Sequence, residues 1–121
     1  MNDSDNANVN KAKALADFCV ACAEEKLAEN TVLLDLDNLS SVADYFVIAT
    51  ANSEPQLRAL ISFIERQVRD KFAIRPFSDG GDETGGWALL DFGTVIVHLM
   101  TPEMREKYDL ETLWGEYSKR H

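Results

Sequence analysis

Two short apolar runs, Thr31–Leu36 (TVLLDL) and Tyr45–Thr50 (YFVIAT), most constrain what this chain can fold into. Each is too short for a buried helix and too evenly aliphatic for a half-wetted strand, so each reads as a strand buried on both faces. Between and around them the period changes to that of helices. Leu15, Phe18, Cys19 and Cys22 fall on one apolar stripe of a helix starting at Lys11, with Asn30 as its stop. Ser53 and Gln56 form an S-x-x-Q capping box, and Pro55 sits in the first turn, where its missing N–H costs nothing. Leu57, Leu60, Ile61, Ile64, Val68 and Phe72 then hold a second helical stripe.

Further along, Ile74–Phe77 reads as a strand near a sheet edge, because Pro76 lacks a ladder donor. A Gly-rich acidic loop, Asp79–Gly86, follows it. Trp87–Asp91 and Thr94–Met100 form a hairpin about Phe92-Gly93, the glycine supplying the positive φ of a tight turn. Thr101-Pro102 opens a short helical turn. Asp109 caps a last one, whose Leu110, Leu113 and Trp114 share a face. The order α-β-β-α-β-β-β-α predicts a single-domain α/β fold with a mixed β-sheet of about five strands and flanking helices. Residues 1–10 are polar and aperiodic and are expected to be a flexible tail. The domain is expected over 11–116, with 117–121 as a short C-terminal extension.

A chain of 121 residues with 45% hydrophobic content can bury one core. Its charge narrows the partners: 21 acids against 12 bases give a net charge of −9. Phosphate backbones repel such a body, so direct sequence-specific nucleic-acid binding is not expected, and work near RNA implies a basic protein partner. No apolar run approaches the roughly 18 residues that a membrane span needs. Asp3 and Asp5, without a base, exclude a signal or transit peptide in the first ten residues. These features predict a cytoplasmic protein that does not engage a membrane.

Reactive chemistry finds little support. Cys19 and Cys22 have redox spacing but lie mid-helix on the apolar stripe, away from a helix N-terminus that would activate a thiol. No second cysteine pair completes a zinc site. Asp35 and Asp37 point to one side of a strand, and with Asp44 they could hold a divalent metal for nucleotidyl transfer. The phosphate cradle such an enzyme needs is missing, and acids that cap a strand end explain the pattern without chemistry. The four glycines of 79–86 are interleaved with Asp79, Asp82 and Glu83, which would repel an anion. No catalytic, metal or cofactor site is expected.

The hairpin is more informative. With Phe92-Gly93 as a two-residue turn, Asp91 faces Thr94, Leu89 faces Ile96 and Trp87 faces His98. Its one face (Ala88, Leu90, Val95, Val97, Leu99) is aliphatic and belongs to the core. Its other face holds Trp87, Leu89, Asp91, Thr94, Ile96 and His98, an aromatic, aliphatic and acidic mixture typical of a docking patch. Cover by the C-terminal turn with Trp114 is the alternative.

Three stretches of the chain closely resemble the ribosomal silencing factor family, also called the iojap or RsfS family. They are Asp35–Ile48 (DLDNLSSVADYFVI), the helix start Ser53–Gln56, and Gly86–Trp114 (GWALLDFGTVIVHLMTPEMREKYDLETLW). The resemblance spans about Lys11 to Trp114; the Gly-rich loop, the N-terminal residues and the end from Tyr117 depart from it. It implies an α/β fold related to the nucleotidyltransferases but without their active site. It also implies binding to the universal large-subunit ribosomal protein fourteen, where the bound factor obstructs joining of the small subunit when nutrients are short. A part in large-subunit maturation and homodimer formation are implied as well. The family's docking residues fall on Trp87 and on Tyr108; Asp91 and Asp109 are acidic additions from charge and position, and Leu89 and Ile96 complete the anchor.

Overall fold

The two apolar runs pair as neighbours in one sheet. The second lies at its centre, fully buried; the first lies farther out and is only partly buried, short of the burial on both faces expected for it. In the computed structural model, which describes residues 3–36, 43–77, 81–82, 85–115 and 119–120, β1 (Glu29–Asp35) lies antiparallel to β2 (Tyr45–Thr50). Strand β2 runs parallel to β5 (Val95–Met100), and β5 is antiparallel to β4 (Trp87–Asp91). These four strands form the body of the sheet. Two-residue strands close its edges, β3 (Gly81–Asp82) beside β4 and β6 (Lys119–Arg120) beside β1, giving the order β3-β4-β5-β2-β1-β6. Every residue of β2 and β5 is buried, as expected for central strands covered on both sides.

One side of the sheet is covered by α1 (Asp3–Glu25) and α2 (Glu54–Phe72). Leu15, Ala16, Cys19 and Ala23 of α1 and Leu57, Leu60, Ile64 and Val68 of α2 meet Val47, Leu90, Val95, Val97 and Leu99 in one core. Helix α2 starts as its sequence predicts: Ser53 Oγ accepts the N–H of Gln56 at 3.2 Å. Gln56 Oε1 in turn accepts the N–H of Asn52 at 2.7 Å, one residue before the cap. The helix ends at Ala73 in the left-handed conformation (φ 57°), with its N–H on Arg69 O at 2.9 Å.

The other side carries a smaller core of Leu34, Leu36, Phe46, Ile48, Ile96 and Met100. It is roofed by the chain after β5: α3 (Pro102–Lys107) and α4 (Leu110–Gly115), through Met104 and Leu110. Thr101 caps α3, its Oγ1 accepting the N–H of Met104 at 3.4 Å.

Several expectations change. Helix α1 reaches back to Asp3, so the segment 1–10 expected as a tail is helical from that residue. The helix stops before Asn30. Leu27 takes the left-handed position (φ 63°), with N–H bonds from Leu27 to Glu24 O at 3.0 Å and from Ala28 to Ala23 O at 3.0 Å, the bonding of a Schellman cap. Ile74–Phe77 is not a strand. Its one cross-connection is the Phe77 N–H to Asp91 O at 2.7 Å, and Pro76 has no N–H to extend it. The fifth and sixth strands are the two short edges instead, and the extension 117–121 contributes one of them through Lys119 and Arg120. Asp37 and Asp79 lie outside the described residues.

Candidate functional site

The hairpin keeps the faces predicted for it but not the register. The turn residues are Gly93-Thr94: Phe92 donates to Val95 O at 2.9 Å, and Gly93 takes φ +89°. A glycine at the first central position with positive φ fits the backbone of a two-residue hairpin turn. Trp87 therefore pairs with Met100, Leu89 with His98, and Asp91 with Ile96. Each partner is displaced by two residues, an even number, so every side chain stays on its expected face.

Trp87 sits at the start of β4, half-buried. Its indole N–H donates to His98 Nδ1 at 3.2 Å, and its ring centroid lies 5.2 Å from that of Tyr108, tilted by 39°. Tyr108 occupies the joint between α3 and α4 and is 43% exposed. Its backbone N–H closes α3 on Met104 O at 2.8 Å, and Lys107 Nζ lies 5.4 Å from its ring centroid. The indole and the phenol thus form a tilted aromatic pair at the surface, flanked by half-buried Leu89.

Ile96 and His98 are not part of this surface. They are 5% and 6% exposed, respectively. Ile96 belongs to the smaller core on which Trp87, Leu89, Met104 and Leu110 pack. His98 sits against Phe46, edge to face, with centroids 4.7 Å apart. Both lie on a strand paired on both sides; Met104 and Leu110 pack on the cluster that holds Ile96, and the Trp87 and Phe46 rings lie against His98. Burial pulls the His98 imidazole down to about 4, so it is neutral near pH 7. The cover foreseen as an alternative is therefore real over β5, whereas β4 and the α3–α4 joint remain reachable. The side chain of Trp114 lies outside the described residues.

The acids have local work. Asp91 Oδ1 accepts the N–H of Gly93 at 2.8 Å, tightening the hairpin turn. Asp109 is exposed and caps α4 as expected: Oδ1 accepts the Thr112 N–H at 3.1 Å, and Oδ2 accepts from Thr112 Oγ1.

Sequence reasoning missed Arg105. Its guanidinium donates through Nη1 to Thr50 Oγ1 at 2.8 Å and through Nε to Glu111 Oε1 at 2.8 Å, with Nη2 2.6 Å from that same oxygen. The side chains of Arg105 and Glu111 are 13% and 21% exposed. This bridge ties α3, α4 and the end of β2 together and so fixes the joint that bears Tyr108. An Arg and a Glu six residues apart around Tyr108-Asp109 were the available signal, a weak one without the fold. Beside the bridge lies a shallow cleft of about 380 Å³ rimmed by Glu29, Glu106 and Asp109.

Of the alternative carboxylate site, Asp37 lies outside the described residues, so only Asp35 and Asp44 are placed. Asp35 is half-buried opposite Tyr45, Asp44 is exposed, and among the described residues no three His, Cys, Asp or Glu side chains gather in a metal-binding group. Cys19 and Cys22 are both buried free thiols, and burial pushes the Cys19 thiol far above its ordinary value. Among the described residues no helix is long and apolar enough to cross a membrane.

Comparison with known proteins points one way. A family model described as ribosomal silencing factor during starvation matches residues 9–121. Ribosomal silencing factor RsfS of Bacillus subtilis (strain 168) is 36% identical over 104 residues, which cover 86% of this chain and 87% of the relative. A mouse protein named mitochondrial assembly of ribosomal large subunit protein 1 is 30% identical over 105 residues, 85% of this chain and 46% of its own. Among solved structures, a crystal structure of a Chromobacterium violaceum protein matches with a TM-score of 0.80 at 29% identity, covering 85% of each chain.

Proposed function

Because this chain belongs to the ribosomal silencing factor family, we propose that it docks on the large ribosomal subunit and sterically blocks joining of the small one. The family is one of silencing factors, not of enzymes. The partner in this reading is the universal large-subunit ribosomal protein fourteen, and translation falls when nutrients are limiting. The observation that carries the proposal is the Trp87–Tyr108 pair, an aromatic anchor left at the surface beside half-buried Leu89, while Ile96 and His98 of the same sheet face are sealed. Anchors of this kind supply most of the energy of a protein interface.

Charge supports the same partner. Residues 79–116 hold nine acids against two bases, a field that steers toward a basic ribosomal protein and away from rRNA. Trp87, Leu89 and Tyr108 are the desolvated contact in this account. Asp91 and Asp109, with the carboxylates rimming the neighbouring cleft, meet Arg or Lys on the partner. The name of the mouse relative favours a role in large-subunit assembly as well. Homodimer formation through the same patch would compete with docking. A cytoplasmic setting and a nucleotidyltransferase-like ancestry of the sheet belong to the same proposal and rest on the family resemblance.

The test is a sucrose-gradient profile of purified subunits with and without the protein. The proposal expects fewer joined particles and co-migration of the protein with large subunits. Unchanged joining at saturating protein would overturn it.

A further inference from the structure

We infer that His98 is a positioning residue whose buried imidazole holds the Trp87 indole in its docking orientation. The inference rests on the docking reading of Trp87 and assigns His98, which no partner can reach, a part in it. Three observations carry it. The indole has a single N–H, and that donor is spent inside the protein on His98 Nδ1 at 3.2 Å. His98 is itself fixed, 6% exposed, in edge-to-face contact with Phe46 and on a fully buried strand. Phe46, His98, Trp87 and Tyr108 thus form a continuous series of ring contacts from the core to the surface, with centroid separations of 4.7, 5.9 and 5.2 Å.

The third observation is a defect. An imidazole that accepts at Nδ1 while neutral bears its proton on Nε2. That atom is buried and has no hydrogen-bond partner among the described residues. A buried donor without a partner destabilises a fold, and an apolar side chain of similar shape would avoid the penalty. Histidine at this position therefore works against stability, while its one satisfied atom serves the Trp87 ring. A further consequence concerns the partner: with its N–H already engaged, Trp87 offers the flat apolar face of its ring rather than a hydrogen bond. It fits an aliphatic or guanidinium surface.

The experiment compares wild type, His98→Phe, His98→Gln, Trp87→Phe and the His98→Phe/Trp87→Phe double variant. The three readouts are thermal unfolding, hydrogen exchange of the Trp87 indole N–H by NMR, and affinity for purified large-subunit ribosomal protein fourteen. His98→Phe should unfold no earlier than wild type, exchange its indole proton at least about tenfold faster, and bind roughly fivefold more weakly. His98→Gln, which keeps an acceptor, should recover part of both losses. On the Trp87→Phe background, which lacks the indole donor, His98→Phe should weaken binding no further. A purely structural role predicts instead an early-melting His98→Phe and additive losses in the double variant, and either result would overturn the inference. Unchanged affinity in a His98→Phe chain with a freed indole would do so as well, leaving the docking reading intact. Failure of the wild-type chain to bind would sink both.

Discussion

The two faces of this sheet are built from similar strands and finished in opposite ways. On one face α1 and α2 lay two long apolar stripes across the strands and bury the facing residues of β2, β4 and β5. On the other, the shorter α3 and α4 cover β5 and β2 but leave β4, so that Trp87 and Leu89 stay half-buried and Tyr108 is exposed. Charge divides in the same sense. The two helices of the first face, 3–25 and 54–72, together hold eight acids against six bases, whereas 79–116 hold nine acids against two bases. One face is finished as core, and the other is left unfinished where a partner can complete it. Burial on the first face yields stability. On the second, the same kind of apolar area yields binding, because water leaves it only when another protein arrives.

The comparison can be broken first on the finished face. Leu99 is fully buried under α1 and α2, so Leu99→Ala should lose about 2–5 kcal/mol of unfolding free energy in denaturant titration. The affinity of the folded fraction for the partner should stay near that of wild type. A comparable loss of affinity in folded protein would show that the two faces are coupled.

The next effect reads the buried histidine. Its folded value of about 4 lies below the ordinary 6.5, so between these limits the unfolded chain binds the proton and the native chain does not. Stability should therefore rise as pH climbs from about 4 to about 6.5, by up to roughly 3 kcal/mol, and this contribution should level off outside that window. His98→Phe should flatten that part of the profile while the carboxylate titrations remain. Parallel wild-type and variant profiles would refute neutral burial.

On the unfinished face the balance reverses. Trp87→Ala or Tyr108→Ala should weaken partner binding by about 2 kcal/mol. Tyr108→Ala should change stability by less than about 1 kcal/mol, since Tyr108 lies at the surface, outside both cores. Folded variants that still sediment with large subunits would remove these residues from the site. The smallest effect returns to the helical face: Ala73 holds a left-handed φ of 57°, and Ala73→Gly should stabilise the protein by about 0.5–1 kcal/mol. A loss of stability there would show that the methyl group packs better than its backbone conformation suggests.

Much of this contrast is legible in the residues. The capping box at Ser53, the stripe from Leu57 to Val68, the pairing strands β1 and β2 and the separation of the hairpin faces follow from periods and cap chemistry, which act within a few residues. Trp87 and Tyr108 are legible through the family resemblance, and Trp87 also through the alternation of β4. What escaped was set at longer range. The hairpin slid by two residues because a turn on Gly93-Thr94 and one on Phe92-Gly93 place every side chain on the same face, so patterning does not discriminate between them. Ile74–Phe77 looked like a strand by composition, yet a strand exists by virtue of its neighbour, and β4 takes β3 instead.

The sequence by itself determined the elements, their apolar faces, the acidic character of residues 79–116 and the aromatic residues that end at the surface. The tertiary structure alone decided which apolar residues stay wet. Ile96 and His98 alternate with the same period as Trp87 and Leu89, but they lie on a central strand, Ile96 in the cluster packed by Met104 and Leu110 and His98 against Trp87 and Phe46, whereas β4 lies farther out. Exposure depends on what packs above a residue, and here that roof is anchored by Arg105 reaching Thr50 across more than fifty residues of chain. No local pattern encodes a contact of that span.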